Sequence, residues 1–204
     1  MNQVRIKNNG KKFIDIAGAI IGLLVSAPFI PVIALIIKID SKGPVFVKLK
    51  RVSMGKVFNL YKFRTMIENA HNLKSSLQHL NERKDGPFFK IKNDPRITKA
   101  GKWLRRFRVD EFPQLLNVLK GEMSLVGPRP YTPEETTAYP ESYKYLTETK
   151  AGITGLSQIS GSSELSFKKT LELDDFYVKN QSLRFDLKII TKTLLIIFFD
   201  PTAV

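Results

Sequence analysis

The sequence predicts an α+β protein that is mainly helical and monotopic in a membrane. Residues 16–37 carry no charge, which is typical of a membrane segment. Two short segments rich in β-branched and aromatic residues flank a turn and predict a small β-hairpin. Later segments have apolar residues at helical spacing and predict amphipathic, interfacial helices. We therefore expect residues 1–40 to form a re-entrant helix-break-helix with basic flanks, and residues 41–204 to form a domain that lies on the membrane.

The net charge limits the classes of binding partner that we expect. The chain has 204 residues and a formal net charge of +14, which implies an anionic partner: nucleic acid, an anionic lipid surface or phosphorylated substrates. The absence of cysteine excludes disulfides, thiolate catalysis and cysteine-based zinc sites. The two histidines, His71 and His79, lie in a polar stretch, so we do not expect a histidine-rich metal site.

The uncharged segment has the length of a membrane helix. As a straight helix, residues 16–37 would extend for roughly 33 Å, about one bilayer core. A signal peptide fits poorly, because the apolar run is too long and no small-x-small cleavage site precedes Lys38. A buried soluble helix fits less well than a lipid-facing one, because the run is apolar all round rather than on one side.

A break is expected near the middle of this segment, at Ser26, Pro28 and Pro31. Each proline lacks an N–H and crowds the carbonyl four residues earlier, while the Ser26 hydroxyl is available to pair freed backbone groups. Basic residues flank the segment on both sides: Arg5, Lys7, Lys11 and Lys12, then Lys38, Lys42, Lys48, Lys50 and Arg51. Because positive charge resists translocation, we expect a re-entrant path; a proline-kinked single span is the alternative.

The remaining elements follow from turn signals and periodicity. Residues 45–49 and 57–63 predict the two strands of the hairpin. Loops are expected at residues 127–130 and 152–155, which contain glycine and proline or two glycines. Helices are predicted at residues 67–82, 99–109, from near 110 to 121, 165–179 and 183–199. The last of them ends almost wholly apolar and is either a core helix or an interfacial one.

Two adjacent carboxylates, Asp110 and Glu111, open one predicted helix. An acidic N-terminus followed by Pro113 is an ordinary helix start. The preceding fourteen residues, however, supply six basic side chains: Arg96, Lys99, Lys102, Arg105, Arg106 and Arg108. Arginines bind phosphate, a carboxylate pair can hold Mg²⁺ against a diphosphate, and a carboxylate can itself be a nucleophile. These groups suit phosphoryl transfer. Arg129 lies between two prolines, as either a rigid surface turn or a phosphate clamp.

Four motifs in this order resemble a known family. They are KFRTM at residues 62–66, NDPRIT at residues 93–98, LRR followed by DEFPQLLNV within residues 104–118, and GEMSLVGPRP at residues 121–130. The set is similar to the bacterial sugar transferases that are monotopic polyprenyl-phosphate phosphoglycosyl transferases. The resemblance extends over residues 13–199.

The resemblance implies a mechanism and site residues. Asp110 would attack the β-phosphate of a UDP-sugar, UMP would leave, and polyprenyl phosphate, usually undecaprenyl phosphate, would take the sugar phosphate as the first membrane step of glycan assembly. Asp110 and Glu111 would bind Mg²⁺. Arg105 and Arg129 match arginines associated with phosphate, and Lys62 and Arg64 are weaker candidates. The family also has a re-entrant helix broken at Ser-Pro.

The resemblance also implies surroundings for this chemistry. The catalytic domain would lie on the cytoplasmic face of the bacterial inner membrane, against anionic lipids and without nucleic acid, and a homodimer is left open. Some residues depart from the family pattern, above all residues 151–155 and Ser162, where an arginine is common. These departures concern sugar or nucleotide contacts rather than the carboxylate pair. A membrane-tethered nucleic-acid binder and a recruiting scaffold are the competing classes.

Overall fold

A computed structural model describes residues 9–199 of the chain, so the flanking residues Arg5 and Lys7 lie outside the described part. The apolar segment forms helix α1, Asn9–Ser26, a 3₁₀ turn, Ala27–Phe29, and helix α2, Ile30–Asp40. The break is therefore where the prolines predict it. Pro31 cannot bond the carbonyl of Ala27, which instead accepts the N–H of Ile30, while the Ser26 hydroxyl donates to the carbonyl of Leu23 at 3.2 Å.

Both halves of this broken helix pack on the rest of the protein. Ala19 in α1 is buried in one apolar cluster, and Ile33 and Ile37 in α2 are buried in a second. The packing is close at Gly18 and Gly22, where an added Cβ would lie 2.6 and 2.8 Å from leucine methyl carbons and would require those side chains to shift. The opposite side is exposed and apolar: Phe13, Ile21, Leu24, Val25, Phe29, Val32, Leu35 and Ile39. Within residues 9–199, this is one segment long and apolar enough to cross a membrane.

The predicted hairpin is confirmed and is longer than expected. Strands β1, Phe46–Ser53, and β2, Lys56–Phe63, pair antiparallel with Phe46 opposite Phe63 and Ser53 opposite Lys56. Met54 and Gly55 form the connection with φ values of 53° and 70°, as a two-residue type I′ turn requires. Phe58 and Leu60, which alternate along β2, are buried with Ala19 of α1, and Phe63 at the end of the strand is buried in the cluster of α2.

The helix predicted over residues 67–82 is wrong. The segment is a series of turns with a short 3₁₀ turn at Gln78–Leu80. Asn69 has a left-handed φ of 58°, which ends any helix at its start, and asparagine tolerates this conformation better than most residues.

Helix α3, Lys99–Arg106, begins at Thr98, whose hydroxyl accepts the N–H of Gly101 at 3.0 Å. Gly101 is required there because an added Cβ would lie 2.0 Å from the carbonyl oxygen of Thr65. The next segment is a 3₁₀ turn, Val109–Gln114, followed by helix α4, Leu115–Leu119. Asp110 is therefore inside a 3₁₀ turn rather than at a helix N-cap, and the preceding Arg108 is left-handed with φ 53°. Gly121 ends α4 as predicted, with φ 76°.

The second sheet contains strand β3, Ser124–Val126, and strand β4, Gly152–Thr154, in a parallel pair. The loop predicted at residues 152–155 is thus mostly a strand. Gly152 allows two backbone segments to approach closely, because a Cβ added at this position would lie 2.0 Å from the backbone nitrogen of Gly127. Glycine in a strand often marks such an approach rather than a turn.

The C-terminal part is helical. It comprises α5, Pro133–Thr137, a 3₁₀ segment, Glu141–Glu148, α6, Leu156–Ile159, a 3₁₀ turn, Ser162–Glu164, α7, Phe167–Lys179, and α8, Leu183–Phe199. The last two helices confirm the predictions within two residues. Helix α8 has a buried part and an exposed apolar end: Ile189 is fully buried, whereas Phe198 and Phe199 are 74% and 81% exposed.

Candidate active site

Two carboxylates and one ammonium form the centre of the site. Lys62 on β2 lies beside the 3₁₀ turn Val109–Gln114. Its ammonium donates to Oδ2 of Asp110 at 3.1 Å and to Oε1 of Glu111 at 2.8 Å. The turn packs directly on β2, so the strand fixes where the ammonium stands. Asp110 is only 4% exposed. The site therefore holds a buried carboxylate beside a second carboxylate, with one cation shared between them.

The charges in this centre are strongly interdependent. Burial raises the pKa of Asp110 and the neighbouring Glu111 adds to the rise, although Lys62 opposes it. Burial also acts to raise the pKa of Glu111, but the charge and hydrogen bond of Lys62, together with the charges of two arginines, outweigh it and the pKa is lowered. The pKa of Lys62 is raised, because the two carboxylates outweigh its burial. Lys62 is thus the group that opposes protonation of Asp110 most strongly.

Three arginines act on this pair through their charge. Arg105 donates its Nε–H to the hydroxyl of Thr65 at 3.0 Å, and its charge lowers the pKa of Asp110. Arg108 and Arg129 both act to lower the pKa of Glu111. Because Arg108 adopts a left-handed φ of 53°, the backbone holds an uncommon conformation two residues before Asp110. Arginine charge therefore reaches both carboxylates, in addition to the Lys62 ammonium.

The other candidate cations have different surroundings. Arg64 is 4% exposed and donates to the backbone carbonyls of Ile37, Lys42 and Pro44, as well as that of Ser41. Arg64 therefore caps the C-terminal end of α2, and its guanidinium is hydrogen-bonded to backbone carbonyls. Arg96, one of the basic residues before the pair, is held by Asp94 at 2.6 Å.

Asp174 was missed by the sequence reasoning. It lies in α7, is 1% exposed, and accepts from the hydroxyls of Ser157 at 2.7 Å and Tyr131 at 3.3 Å. The backbone N–H of Arg129 also bonds to it. Asp174 thus ties α7 to the loop that carries Arg129. A weak signal existed in the sequence, since Asp174 stands three positions from Leu171 and from Tyr177 on the apolar side of the predicted helix.

This carboxyl predicts a pH dependence of stability. Burial raises the pKa of Asp174 to about 7, so the folded chain keeps a proton that the unfolded chain releases near pH 4. Stability should therefore fall as pH rises from about 4 to about 7, by at most roughly 4 kcal/mol, and then level off. We expect Asp174→Asn to remove most of this slope in thermal unfolding of the full chain. Asp175→Asn, at the next and less buried position, should keep it; equal slopes in both variants would contradict the assignment.

Comparison with known proteins places the chain in a family. Residues 6–200 match the family described as bacterial sugar transferase. The chain belongs to the bacterial sugar transferase family. This membership confirms the resemblance carried by the four motifs, which contain Asp110, Glu111 and the arginines around them.

Relatives within the bacterial sugar transferase family differ in length. Galactosyl transferase CpsE of Streptococcus agalactiae is 43% identical over 95% of this chain and 43% of its own length. Undecaprenyl-phosphate galactose phosphotransferase of Salmonella typhimurium is 38% identical over 90% of this chain and 39% of its own length. The chain thus spans about two fifths of these relatives. It spans 83% of the exopolysaccharide production protein ExoY of Rhizobium meliloti, at 36% identity over 90% of this chain.

Proposed function

We propose that this protein transfers a sugar-1-phosphate from a UDP-sugar to polyprenyl phosphate, with release of UMP. The observation that carries the proposal is the buried Asp110, held by Lys62 beside Glu111. The charge of Arg105 acts on Asp110, and two further arginine charges act on Glu111. The family supports it, since relatives are named undecaprenyl-phosphate galactose and glucose phosphotransferases.

The transfer takes place in two displacements. In the first, an Asp110 oxygen forms a bond to the β-phosphorus, and the bond from that phosphorus to the bridging oxygen breaks, so that UMP leaves with the electron pair. In the second, a phosphate oxygen of the polyprenyl phosphate attacks the same phosphorus. The aspartyl–phosphorus bond then breaks, which restores the Asp110 carboxylate and yields a polyprenyl diphosphate sugar.

The surrounding cations have separate roles in this scheme. Lys62 keeps Asp110 ionised and oriented, which its two contacts support. Arg105 and Arg129 neutralise the diphosphate, and Arg108 joins them from its left-handed position. Arg64 is left out of this set, because its guanidinium donates to backbone carbonyls at the end of α2.

Magnesium fits this centre as a partner of the substrate. Within the described residues 9–199, no group of three or more acidic or histidine side chains could hold a metal alone. Two adjacent carboxylates suit Mg²⁺ when substrate phosphates and water complete its shell. Asp110 and Glu111 would hold it. When bound, the ion would neutralise charge on the diphosphate and on the departing UMP.

The contacts of the broken helix support a re-entrant path. Near its start, Lys11 pairs with Asp186 at 2.7 Å; at its end, Asp40 accepts the backbone N–H of Ala100 at 2.9 Å. A helix that crosses the bilayer would place these ends on opposite sides of roughly 30 Å of hydrocarbon. Contacts to one domain at both ends, and the apolar side around Phe29, support entry and exit on the cytoplasmic face of the inner membrane.

The topology predicts a labelling pattern. The chain has no cysteine, so Lys12→Cys, Lys42→Cys and Phe29→Cys each create a unique thiol. In right-side-out and inverted vesicles, a membrane-impermeant maleimide should label positions 12 and 42 from the same side. Phe29→Cys, at the exposed break, should resist labelling from both sides because it lies among lipid chains. Labelling of positions 12 and 42 from opposite sides would establish a span.

The activity is tested by UMP release. Full-length protein in nanodiscs, with a UDP-sugar, Mg²⁺ and undecaprenyl phosphate, should release UMP continuously. Omission of undecaprenyl phosphate should limit release to about one UMP per protein. Absence of UMP with every UDP-sugar would overturn the proposed function, and continuous release without the lipid would indicate hydrolysis.

A further inference from the structure

A buried asparagine connects the helix after the carboxylate turn to the strand that carries Lys62. Asn117 lies in α4, Leu115–Leu119, which follows the 3₁₀ turn Val109–Gln114 without a break in the chain. Asn117 is 0% exposed. Because burial of a polar amide is unfavourable unless its donors and acceptor are paired, the partners of this amide show which parts of the fold it connects.

Every hydrogen-bonding group of the Asn117 amide has a partner. Its Oδ1 accepts the backbone N–H of Tyr61 at 3.1 Å, and its Nδ2 donates to the backbone carbonyl of Asn59 at 2.8 Å and to Oε2 of Glu122 at 2.7 Å. A reversed amide would place its NH₂ group against a donor and its oxygen against two acceptors. The amide is therefore held in one orientation by three hydrogen bonds.

Two of these bonds are to one edge of β2. Asn59 and Tyr61 are alternate residues of the strand, and alternate residues direct their backbone groups to the same edge. The other edge of β2 pairs with β1, so the amide occupies the edge that β1 leaves open. Asn117 therefore bonds to the backbone of β2 as a neighbouring strand would, immediately before Lys62.

This attachment relates the position of the ammonium to that of the carboxylates. Lys62 is the residue after Tyr61, and the turn that contains Asp110 and Glu111 leads directly into α4. The Lys62 Nζ lies 3.1 Å from Oδ2 of Asp110 and 2.8 Å from Oε1 of Glu111. A displacement of the strand by about 1 Å along these contacts would break them. One side chain thus fixes the strand before the cation to the helix after the carboxylates.

We propose that Asn117 is a positioning residue for the transfer reaction, because it holds β2 where the Lys62 ammonium meets Asp110 and Glu111. The inference rests on the proposed function and adds a residue to the same site. Asn117 acts through Lys62, since its side-chain hydrogen bonds are to the strand and to Glu122 rather than to the carboxylate pair.

A second contact between the same two elements provides a control. Lys120, at the end of α4, donates to the hydroxyl of Tyr61 at 2.6 Å and lies 4.5 Å from the centroid of its ring. This contact is exposed and joins two side chains, so it does not fix the backbone of β2. Lys120→Met should therefore leave kcat for UMP release within about twofold of the wild-type value.

The test exchanges one group of the buried amide. In Asn117→Asp/Glu122→Gln, the new carboxylate still accepts the Tyr61 N–H and the new amide at position 122 donates to it, so the bond to the Asn59 carbonyl is the one lost. The net charge equals that of the wild-type chain. Glu122→Gln alone is the matched control, because its amide oxygen can still accept from Asn117 and all three bonds remain.

The expected result depends on Lys62. Relative to Glu122→Gln, the double variant should lower kcat for UMP release about tenfold, with KM for the UDP-sugar within about twofold. When Lys62→Met is added to both proteins, the same exchange at position 117 should change kcat by less than about twofold, because no ammonium remains to be positioned. An equal loss with and without Lys62 would show that Asn117 only supports the fold, and would overturn the inference.

A second variant covers the case in which the double variant does not fold. Asn117→Ser removes both bonds to β2 without burying a charge, and its loss of kcat should depend on Lys62 in the same way; a loss independent of Lys62 would overturn the inference alone. Absence of UMP release with every UDP-sugar in the wild-type protein would overturn the proposed function as well.

Discussion

Asp110→Asn should abolish sugar-phosphate transfer. The amide has nearly the same shape as the carboxylate but is a far weaker nucleophile, and we expect UMP release to fall about 10⁴-fold or more, as for loss of other covalent nucleophiles. The fold should persist, because Lys62 keeps its 2.8 Å contact with Glu111. UMP release measured with saturating UDP-sugar and Mg²⁺ checks the loss.

Glu111→Gln is the matched comparison for this variant. It also removes one carboxylate from the pair, but it leaves the proposed nucleophile in place. We expect slower UMP release with formation of the covalent intermediate retained. If Asp110→Asn turned over at the rate of Glu111→Gln or faster, Asp110 would not be the nucleophile.

Lys62→Met should lower activity and change its pH dependence. Two adjacent carboxylates would remain without their shared cation, and since Lys62 opposes the rise in the pKa of Asp110, its loss should raise that pKa further. The acidic limb of the pH–rate profile should move to higher pH, because the Asp110 carboxylate must be ionised to attack. At neutral pH we expect a loss of roughly 10²-fold or more, with partial recovery in alkaline buffer.

The same substitution should reduce stability. Removing one partner of a fully buried ion pair commonly costs about 3–5 kcal/mol. Lys62 is 23% exposed and has two carboxylate partners, so we expect a smaller loss of roughly 1–3 kcal/mol. Lys56→Met, at the exposed start of the same strand, should be nearly neutral in both assays. An unshifted pH profile in Lys62→Met, with the fold intact by circular dichroism, would contradict the role given to the ammonium.

Local signals predicted much of the fold. The hairpin could be predicted because its turn contains Gly55 and its strands alternate. Helix α7, Phe167–Lys179, could be predicted from its apolar spacing, and in the structure the Ser166 hydroxyl begins it by accepting the N–H of Lys169 at 3.2 Å. The break at Ala27–Phe29 follows from proline chemistry alone. In each case the determining interaction lies within a few residues of sequence.

Contacts distant in sequence explain what was mispredicted. The strand at Gly152–Thr154 depends on the backbone of Gly127, and glycine in isolation indicates a loop. The segment after residue 66 is tied to a distant one, since the N–H of Ile67 donates to the carbonyl of Arg96 at 2.9 Å. The local residue pattern therefore reveals neither the strand at Gly152–Thr154 nor the turns after residue 67.

The candidate site likewise combines residues that the local sequence identifies with contacts that only the fold creates. Asp110 and Glu111 stand out as adjacent carboxylates, but only the fold brings Lys62, 48 positions earlier, to them. Arg64, two positions from Lys62, is directed instead to the end of α2. Asp174 could not be connected to Arg129 at all, because 45 residues separate them in sequence and the contact forms only when α7 packs under the loop. The candidate groups of the site can be identified from the sequence, whereas the partners of each group depend on the folded structure.

The covalent intermediate on Asp110 is the central claim, and intact-protein mass spectrometry tests it most directly. Full-length protein incubated with a UDP-hexose and Mg²⁺, without polyprenyl phosphate, should gain the mass of one hexose phosphate, and peptide mapping should place it on Asp110. Addition of undecaprenyl phosphate should remove the adduct. UMP release in the same sample without any adduct, or with the adduct on another residue that Asp110→Asn still forms, would contradict the mechanism.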